Sequence, residues 1–426
     1  MLSSPEERRR LRQEKAQERL RKQQQNKKML IRLGIAGVIV IICGILILTL
    51  TNRSSDNQNP SMDNTPSSET ATTDTQNTEP STPPTTTIHY AAVGDLNIND
   101  DTVAAGGPSY LYTDTFMDVA HLLAEADISS VNFEGTFYGE PYGSSFSAPA
   151  SMATALKKAG VDLVQMANSY SISRGLAGLA SSLDSVRLAG MEPVGAYANN
   201  AAFQKSKGFT IRTVNGIRIA FVAFTKGMDG MTLPVGSENC VNVLYEDYDS
   251  VYQNVDTKKI TSILSAVAKE KPDITIALLH WGSEFNDTIS GSQKKIVSIM
   301  QQNGVDAIIG THSHYVQKIS FDEASGQFVA YSLGDFFSDG KRAGSEYSIV
   351  LDLEITKDNT SGETKITNFS YTPIFTVHEE EKPLRVVRIQ EAVTAYENGF
   401  ISRVSPEMYD KMLYALERIE ARVAGK

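Results

Sequence analysis

The sequence predicts a mixed α/β domain that follows a single transmembrane helix. Short apolar runs alternate with longer helical patterns from residue 88 onward, an Asn-Gly pair separates two of these runs, and nineteen uncharged residues precede the domain. Strands that alternate with helices form sheets whose faces are covered by helices. With 41% hydrophobic residues, a chain of 426 residues buries a large core, which excludes a wholly disordered protein.

The N-terminal 51 residues have the pattern of a membrane anchor. Residues 1–32 contain eleven Lys and Arg against four Asp and Glu, and residues 33–51 carry no charge. Nineteen helical residues, at about 1.5 Å each, span a hydrocarbon core of roughly 30 Å. A cleaved signal peptide is the alternative, but its apolar region has about 7–15 residues and ends at a small-residue site, and neither feature is present. Because positive charge stays inside, we predict a single-pass protein of the cell membrane with a cytoplasmic N-terminus and an extracytoplasmic main domain.

The charge distribution also bears on partners. The basic segment, residues 1–32, lies directly before the predicted span, so we expect it to meet anionic lipid and expect no nucleic-acid binding. Residues 33–426 hold 29 Lys and Arg against 46 Asp and Glu, a net charge of -17. This excess repels a free polyanion unless a metal or a local basic patch intervenes. The two cysteines, Cys43 in the predicted span and Cys240, exclude a disulfide framework and a cysteine zinc site.

The rest of the chain divides into three predicted parts. Residues 52–87 are rich in Ser, Thr, Asn, Gln and Pro and form a disordered linker. Residues 88–380 form the main domain, and residues 381–426 form a C-terminal helical extension. The predicted strands of the main domain are Ile88–Val93, Ile128–Phe133, Val161–Met166, Ile217–Phe224, Ile274–Leu279, Val305–Ile309 and Phe328–Leu333. Its predicted helices are Asp114–Ala126, Ser151–Ala159, Leu176–Ala189, Thr257–Glu270 and Ser290–Asn303.

Two further pairs of segments predict antiparallel strands, so the architecture is mixed. Ile211–Val214 and Ile217–Phe224 flank Asn215-Gly216, a dipeptide that suits a type I′ turn. Tyr347–Ile355 and Lys365–Ile374 have the pattern of paired strands. In the extension, residues 406–422 are predicted to form an amphipathic helix.

Polar residues close five of the apolar runs. Because ligands of open α/β sheets bind beyond the carboxyl ends of the strands, such residues are candidates for a functional site. They are Asp95, Asn97, Asn132, Glu134, Asn168, Ser169, His280, Glu284, His312 and His314. Carboxylates and imidazoles without a nearby cysteine favour Zn, Mn or Fe. We therefore predict a site for one or two divalent metal ions.

Each candidate ligand has a structural alternative. Asp95 follows a glycine and is compatible with a turn or a helix cap. His280 precedes the only Trp of the sequence and is compatible with core packing. The case for His312 and His314 is stronger, because residues i and i+2 of an extended segment point the same way and can face one ion. No role is assigned to the three remaining histidines, His89, His121 and His378.

The motifs at the strand ends resemble those of the CapA family, which comprises capsule or poly-γ-glutamate synthesis proteins with a calcineurin-like metallophosphoesterase fold. The resemblance covers residues 88–337 and rests on Gly94-Asp95, Asn132-Phe133-Glu134, Ala167-Asn168, His280-Trp281-Gly282-Ser283-Glu284, Gly310-Thr311-His312-Ser313-His314 and Tyr331-Ser332-Leu333-Gly334-Asp335-Phe336. It implies a set of metal ligands, with His314 on the second of two ions: Asp95, Glu134, His280, His312 and His314. Two ions about 3.5–4 Å apart would activate a water and clamp a phosphoryl oxygen.

The third motif departs from the family pattern. Where the family usually has Ala-Asn-Asn-His, this chain has Ala167-Asn168-Ser169-Tyr170. Ser169 replaces an Asn that would bind metal, and Tyr170 replaces a His that assists the leaving group. A phenol with a pKa near about 10 donates a hydrogen bond but is a poor substitute for an imidazole. We retain Tyr170 and His314 as candidate catalytic residues. The residues expected only to line the site are Asn97, Asn132, Asn168, Ser169, Glu284 and Asp335, the last where the family usually has Asn.

Two functions remain open, both in the synthesis or export of an anionic capsule polymer of the poly-γ-glutamate type. In the first, the protein is a metal-dependent hydrolase or transferase that acts outside the membrane on a phosphate ester or on the growing polymer. In the second, it is a non-catalytic accessory subunit whose degenerate site binds or guides the polymer or a partner. In both, the resemblance implies membrane-bound polymer-synthase subunits as partners.

Overall fold

The computed structural model describes residues 84–379, 382–400 and 404–426. The predicted cytoplasmic segment (1–32), the predicted transmembrane helix (33–51) and residues 52–83 of the predicted linker lie outside the described residues. Among the helices that are described, none has the length and apolar character needed to cross a membrane.

Strands and helices alternate through most of the described chain. The strands are β1 (Thr85–Asn97), β2 (Ile128–Glu134), β3 (Leu163–Gln165), β4 (Glu192–Val194), β5 (Phe209–Val214), β6 (Ile217–Thr225), β7 (Ile274–His280), β8 (Ala307–Thr311), β9 (Ile319–Asp322), β10 (Gln327–Ala330), β11 (Asp335–Phe337), β12 (Tyr347–Asp358), β13 (Thr364–Val377) and β14 (Arg385–Arg388). The helices are α1 (Asp100–Ala104), α2 (Thr113–Phe116), α3 (Ala120–Ala124), α4 (Ala150–Lys158), α5 (Gly175–Leu188), α6 (Asn200–Ser206), α7 (Thr257–Glu270), α8 (Gly291–Gln302), α9 (Ile389–Glu397) and α10 (Pro406–Val423).

The described strands form two mixed sheets. The first has eight strands in the order β14-β13-β12-β1-β2-β3-β4, with β11 paired to β1. The second has six in the order β5-β6-β7-β8-β10-β9. Strands β1 to β4 are parallel to one another, as are β6, β7 and β8, while β12 to β14 are antiparallel. The mixed α/β class predicted from the sequence is therefore confirmed.

The two faces of strand β6 contribute to different parts of the core. Ile219 and Phe221 belong to a core that also contains β1, and the rings of Tyr90 and Phe221 lie 5.6 Å apart. Val222 and Phe224 point to the other face, into a cluster with buried residues of α7 and α8. Because side chains alternate along a strand, an unbroken apolar run places hydrophobic groups on both faces. The sheet is thus covered on both sides, as the sequence predicts.

Two local predictions meet different outcomes. The hairpin at Asn215-Gly216 is confirmed, since both residues have positive φ (47° and 83°), as a type I′ turn requires. The single helix Asp114–Ala126 is wrong, because the segment forms two short helices, α2 and α3. Phe116 stacks on Phe336 at 5.5 Å and Val119 is fully buried in the turn between the helices. Packing of these two side chains outweighs the helical propensity of the run.

The described domain extends beyond the predicted boundaries at both ends. Strand β1 begins at Thr85, and Thr85, Thr86 and Thr87, which the sequence places in the linker, pair with β12. In the predicted C-terminal extension (381–426), β14 pairs with β13, and Met412 and Ile419 of α10 are buried in the main core. This segment therefore adds a strand and a core helix to the same structural unit.

Asp306, directly before β8, gives the stability of the domain a pH dependence. Burial raises the pKa of Asp306 to about 6, partly offset by a hydrogen bond that its Oδ2 accepts from the backbone N–H of Thr275 at 2.8 Å. The folded state binds the proton of the Asp306 carboxyl more tightly than the unfolded state does. This difference stabilises the folded protein fully below the unfolded pKa near about 4, and the stabilisation is lost as the pH rises through about 6.

We expect Asp306→Asn to remove this pH dependence of stability, because Asn does not titrate. Its side-chain oxygen still accepts the hydrogen bond from the Thr275 N–H, so the local structure is kept. Between pH 4.5 and 7.5 the free energy of unfolding of the variant should rise, relative to that of the native protein, by on the order of 2 kcal/mol. Urea unfolding at several pH values measures this. Parallel pH profiles for the two proteins would contradict the assignment.

Candidate metal centre

The carboxyl ends of the parallel strands bring distant parts of the sequence together. Asp95 of β1 lies opposite Asn132 of β2 and Asp335 of β11. In the second sheet, His280 at the end of β7 lies opposite Thr311 at the end of β8. The polar residues that close the apolar runs therefore meet at the edge where the carboxyl ends of the two sheets lie together, the end at which α/β sheets bind ligands.

Two groups of buried side chains at this edge offer ligand atoms for a metal ion. The first ligand group is Glu134, His280 and His312, and the second is Asp95, His314 and Asp335. Within each group the ligand atoms all lie within 4.8 Å of one another. Asp335 is predicted only to line the site, whereas the structure brings it into a ligand group.

Asp95 connects the two ligand groups. Its Oδ1 lies 3.9 Å from Nδ1 of His280, and its Oδ2 lies 3.9 Å from Nδ1 of His314. Oδ2 also accepts a hydrogen bond from the backbone N–H of His312 at 2.9 Å. The two carboxylate oxygens thus face different groups, the arrangement that a carboxylate shared by two ions requires.

Asn132 and Asn168 hold the carboxylates of Asp95 and Glu134 in place through hydrogen bonds. Asn168 donates to the side-chain oxygen of Asn132 at 3.1 Å and to the carbonyl of Phe133 at 2.6 Å. This contact turns the amide nitrogen of Asn132 toward the cluster, where it donates to Asp95 Oδ1 at 2.6 Å and to Glu134 Oε1 at 3.3 Å. Both Asn side chains therefore position the ligands, as hydrogen-bonded groups around metal sites commonly do.

The surroundings of His312 fit a metal ion. Its side chain is 3% exposed, and neither ring nitrogen has a hydrogen-bond partner in the described chain. The ring lies 4.4 Å from that of His280. Buried imidazole nitrogens are rarely left without a partner, because the loss of water costs free energy that no contact returns. A cation held by the first ligand group would supply the missing partner.

Charge in the centre also matches metal ligation. Burial, together with the nearby positive charge of His314, holds the pKa values of His280 and His312 well below the usual range, so both rings are neutral and available to a metal. Burial raises the pKa of Asp95 to about 6 and that of Glu134 well above its usual value. The imidazolium of His314 balances only part of the charge of Asp95, Glu134 and Asp335, and a divalent cation would balance the rest.

Without a metal, His314 carries the positive charge of the second ligand group, and it would have to lose its proton to bind an ion. Burial lowers its pKa, but the carboxylates of Asp335, Glu134 and Asp95 outweigh burial and raise it well above the usual value. Its Nδ1 lies 2.7 Å from Oδ1 of Asp335. The backbone of His314 is left-handed, with φ of 58°, a conformation that is uncommon outside glycine and frequent at functional sites.

The two residues of the third motif that depart from the family pattern lie at the centre. The hydroxyl of Ser169 is 3.0 Å from Nε2 of His280. Tyr170 stacks on Phe146 at 4.2 Å and lines the cavity that opens onto the cluster. Burial and the nearby carboxylate of Glu134 raise the pKa of Tyr170, so the phenol keeps its proton at neutral pH. It can donate a hydrogen bond into the cavity but cannot act as a base there.

A cavity of about 310 Å³ leads from the centre to solvent. Its walls include the predicted residues Asn97, Glu134, Tyr170, Glu284, His314 and Asp335. Every predicted site residue therefore belongs to a ligand group, is hydrogen-bonded to one or more of the ligands directly or through Asn132, or lines the cavity.

A match to a known family agrees with these motifs. The model of the family described as "Bacterial capsule synthesis protein PGA_cap" matches residues 89–340. The chain belongs to this family. The resemblance to CapA predicted from the sequence is thereby confirmed.

Two curated relatives of this PGA_cap member carry the CapA name. The capsule biosynthesis protein CapA of Bacillus anthracis is 25% identical over 260 residues, which cover 58% of this chain and 59% of that protein. The PGA biosynthesis protein CapA of Bacillus subtilis strain 168 is 26% identical over 224 residues, 53% of each chain. The chain thus matches little more than half the length of either relative.

Solved structures with a similar chain trace include two that are described as a phosphatase and a phosphoesterase. A novel phosphatase from Mycoplasma pneumoniae is 16% identical, with 68% of this chain and 94% of that chain covered and a TM-score of 0.42. The calcineurin-like phosphoesterase YfkN from Bacillus subtilis is 14% identical, with 78% and 100% covered and a TM-score of 0.42. Similarity at this level assigns neither a fold nor an activity to the PGA_cap domain.

Sequence reasoning misses three side chains near the centre. Lys226 follows β6 and donates to the carbonyl of Gly282 at 3.0 Å, and burial lowers the pKa of its ammonium group. Phe285 and Arg342 line the cavity. The rule that polar residues close strands also applies to Lys226, directly after IRIAFVAFT, and would have identified it. Phe285 and Arg342 lie on irregular segments for which no periodic pattern exists.

Gly94 packs closely against the backbone of Gly334, next to the candidate metal centre. Strand β1 bulges between Ala92 and Asp95, and Asp95 N–H donates to Gly334 O at 3.0 Å. A Cβ at Gly94 would overlap this carbonyl oxygen. We expect Gly94→Ala to destabilise the protein by at least about 2 kcal/mol through backbone displacement, and to weaken metal retention although it removes no ligand.

Gly291→Ala is the matched control, because Gly291 begins α8 and no atom lies within 4 Å of its Cβ position. We expect it to be neutral or to stabilise by up to about 1 kcal/mol. Thermal unfolding and metal content of both variants measure the difference. Equal stability and equal metal content of the two variants would show that the close contact between β1 and Gly334 is not needed to form the metal centre.

Proposed function

We propose that this protein is a membrane-anchored, extracytoplasmic component in the synthesis or export of an anionic capsule polymer of the poly-γ-glutamate type, with a calcineurin-like, metal-dependent phosphoesterase site. Membership of the PGA_cap family and the names of the two curated relatives support the polymer. The uncharged segment at residues 33–51 after a basic segment supports the anchor and the outward orientation. Membrane-bound polymer-synthase subunits are the proposed partners.

One observation carries the proposed chemistry: two buried ligand groups are joined by Asp95 and open to a cavity. The residues proposed to hold one or two ions of Mn, Zn or Fe are Asp95, Glu134, His280, His312, His314 and Asp335. When bound, such ions polarise a phosphoryl oxygen and lower the pKa of a bound water.

Other side chains around the metal centre position the ligands or the substrate. Asn132 and Asn168 hold the carboxylates in place through the hydrogen bonds already described. Tyr170 presents its protonated hydroxyl to the cavity, where it can donate to an oxygen of the leaving group. The neutral ring of His280 is held by Ser169 on one side and by Thr311 on the other, at 3.0 and 3.2 Å.

The second candidate function is a non-catalytic accessory that binds or guides polymer through the same cavity. A specific observation favours it: the third motif places a protonated phenol, Tyr170, where the family has an imidazole. Without a group that titrates near neutrality, proton transfer to the leaving group is slower by about 10²–10⁴-fold.

Hydrolysis of bis(4-nitrophenyl) phosphate by the full chain in detergent, with added Mn²⁺, separates the two functions. The enzyme predicts metal-dependent turnover that disappears in His280→Ala and persists in His121→Ala, which changes a histidine of α3 outside the site. Turnover no higher than that of His280→Ala would contradict the catalytic function and leave the accessory one.

A further inference from the structure

A stack of three flat groups lies along one wall of the cavity. The ring of Phe285 stacks on the imidazole of His314, with 4.8 Å between centroids and 26° between planes. The guanidinium carbon of Arg342 lies 3.7 Å from the centroid of Phe285. The phenyl ring thus lies between the second ligand group and a cation nearer the solvent, and a cation over an aromatic face is attracted to it even at an exposed site.

The backbone around this stack is fixed. Phe285 is left-handed, with φ of 52°, which is unfavourable for an aromatic residue, and its N–H donates to the carbonyl of Ser313 at 2.8 Å. On the other side, Lys341 pairs with Asp101, and the Tyr315 hydroxyl donates to Ala343 O at 2.9 Å. The residues on both sides of Arg342 are therefore anchored, and strain at Phe285 is retained, as is common where a side chain serves a function.

The guanidinium of Arg342 is available to a ligand. Its side chain is exposed, and within the described part of the chain it makes no ion pair. Among the described residues that line the cavity, Arg342 is the only Lys or Arg, whereas four residues are acidic: Glu134, Glu284, Asp335 and Asp339. Glu134 and Asp335 belong to the ligand groups, so a bound cation would neutralise them, and the ammonium of Lys341 lies 3.8 Å from the carboxylate of Asp339. Both effects reduce the negative charge that an anion beside Arg342 would meet.

We propose that Arg342, stacked on Phe285, forms a subsite that binds an oxyanion of the substrate next to the group at the metal centre. This inference rests on the proposed function and deepens it: the substrate is a polyanion that carries a second charged group along its chain. A planar guanidinium held over a ring presents a donor fork at its edge that matches a carboxylate or a phosphate, and it has less conformational entropy to lose on binding. It also supplies the local positive charge that a chain segment with net -17 needs in order to hold a polyanion.

Binding of two labelled probes to the full chain in detergent tests the subsite. One probe is a fluorescein-labelled pentamer of γ-linked glutamate and the other is a labelled linear pentaphosphate, with a γ-linked glutamine pentamer as the neutral control. We expect Arg342→Ala to weaken at least one anionic probe by about tenfold or more, Arg342→Lys to be intermediate, and Phe285→Leu to weaken it less. The probe that shows the dependence identifies the oxyanion as carboxylate or phosphate.

Arg212→Ala is the matched control, because Arg212 is an exposed arginine on β5 away from the cavity. Thermal unfolding and elemental analysis of each variant establish that fold and metal content are unchanged. Equal affinity of Arg342→Ala and the native chain for both probes, or no binding by the native chain, would overturn the subsite. If the purified chain holds no metal but probe binding still depends on Arg342, the proposed phosphoesterase function fails and the subsite stands.

Discussion

Replacement of His312 by alanine should abolish most of the stabilisation that a divalent metal gives the protein. A ligand present at 1,000 times its dissociation constant stabilises by about 4 kcal/mol. Loss of a direct ligand should weaken affinity by at least about 100-fold, since even supporting residues cost 10–100-fold. At the same Mn²⁺ concentration the metal-induced stabilisation should therefore fall by about 2.7 kcal/mol.

The metal-free protein should respond differently to the same change. Both ring nitrogens of His312 lack partners in the described chain, so its removal breaks no hydrogen bond. Lost packing contacts are partly offset by removal of the two unpaired nitrogens, and we expect a change below about 1.5 kcal/mol in the absence of metal. Urea unfolding with Mn²⁺ and with EDTA measures both effects, with His121→Ala as the control. A variant that loses as much stability in EDTA as in Mn²⁺ would make His312 a core residue.

The double variant Ser169→Asn, Tyr170→His should gain phosphodiesterase activity of about 10²-fold or more over the native chain. Tyr170 lines the cavity, so a histidine there faces the substrate, and its imidazole titrates near neutrality whereas the buried phenol does not. The asparagine adds a carbonyl oxygen beside His280, where the hydroxyl of Ser169 now lies at 3.0 Å. Release of phenol from diphenyl phosphate with Mn²⁺ provides the measurement, because phenolate, unlike 4-nitrophenolate, needs a proton donor to leave.

One further variant separates the role of the native hydroxyl from that of the new histidine. Tyr170→Phe removes the hydroxyl alone and should lower any native turnover, because it deletes the one proton that Tyr170 can donate. If the double variant is no more active than the native chain while its metal content is equal, the third motif does not limit catalysis, and the accessory function gains support.

Elements with a strong periodic pattern could be predicted from the sequence. The apolar run of β6 and the helix Thr257–Glu270 are found where the pattern places them, because burial on one or both faces dictates their composition. Short elements such as β4 and β11, three residues each, contain too little pattern to detect. The helix predicted at 114–126 is divided because Phe116 and Val119 pack against distant partners that no local window contains.

Residue types at strand ends predict which side chains meet, but not how they are arranged. The convergence of Asp95, His280 and His314 follows from parallel strands of two sheets whose carboxyl ends lie together. Asp335 enters the second ligand group because β11 pairs with β1 in register at Asp95, a long-range pairing that the sequence does not reveal. The stack of Phe285 and Arg342 depends on two irregular loops and on a left-handed Phe285, and periodicity offers no signal for either.

Anomalous diffraction from crystals of the Mn²⁺-loaded protein, recorded on both sides of the Mn absorption edge, tests the metal centre most directly. The account predicts a peak between Glu134, His280 and His312, and at saturating Mn²⁺ a second one between Asp95, His314 and Asp335. A map without a peak at either ligand group, from protein that elemental analysis shows to be metal-free after loading, would contradict it.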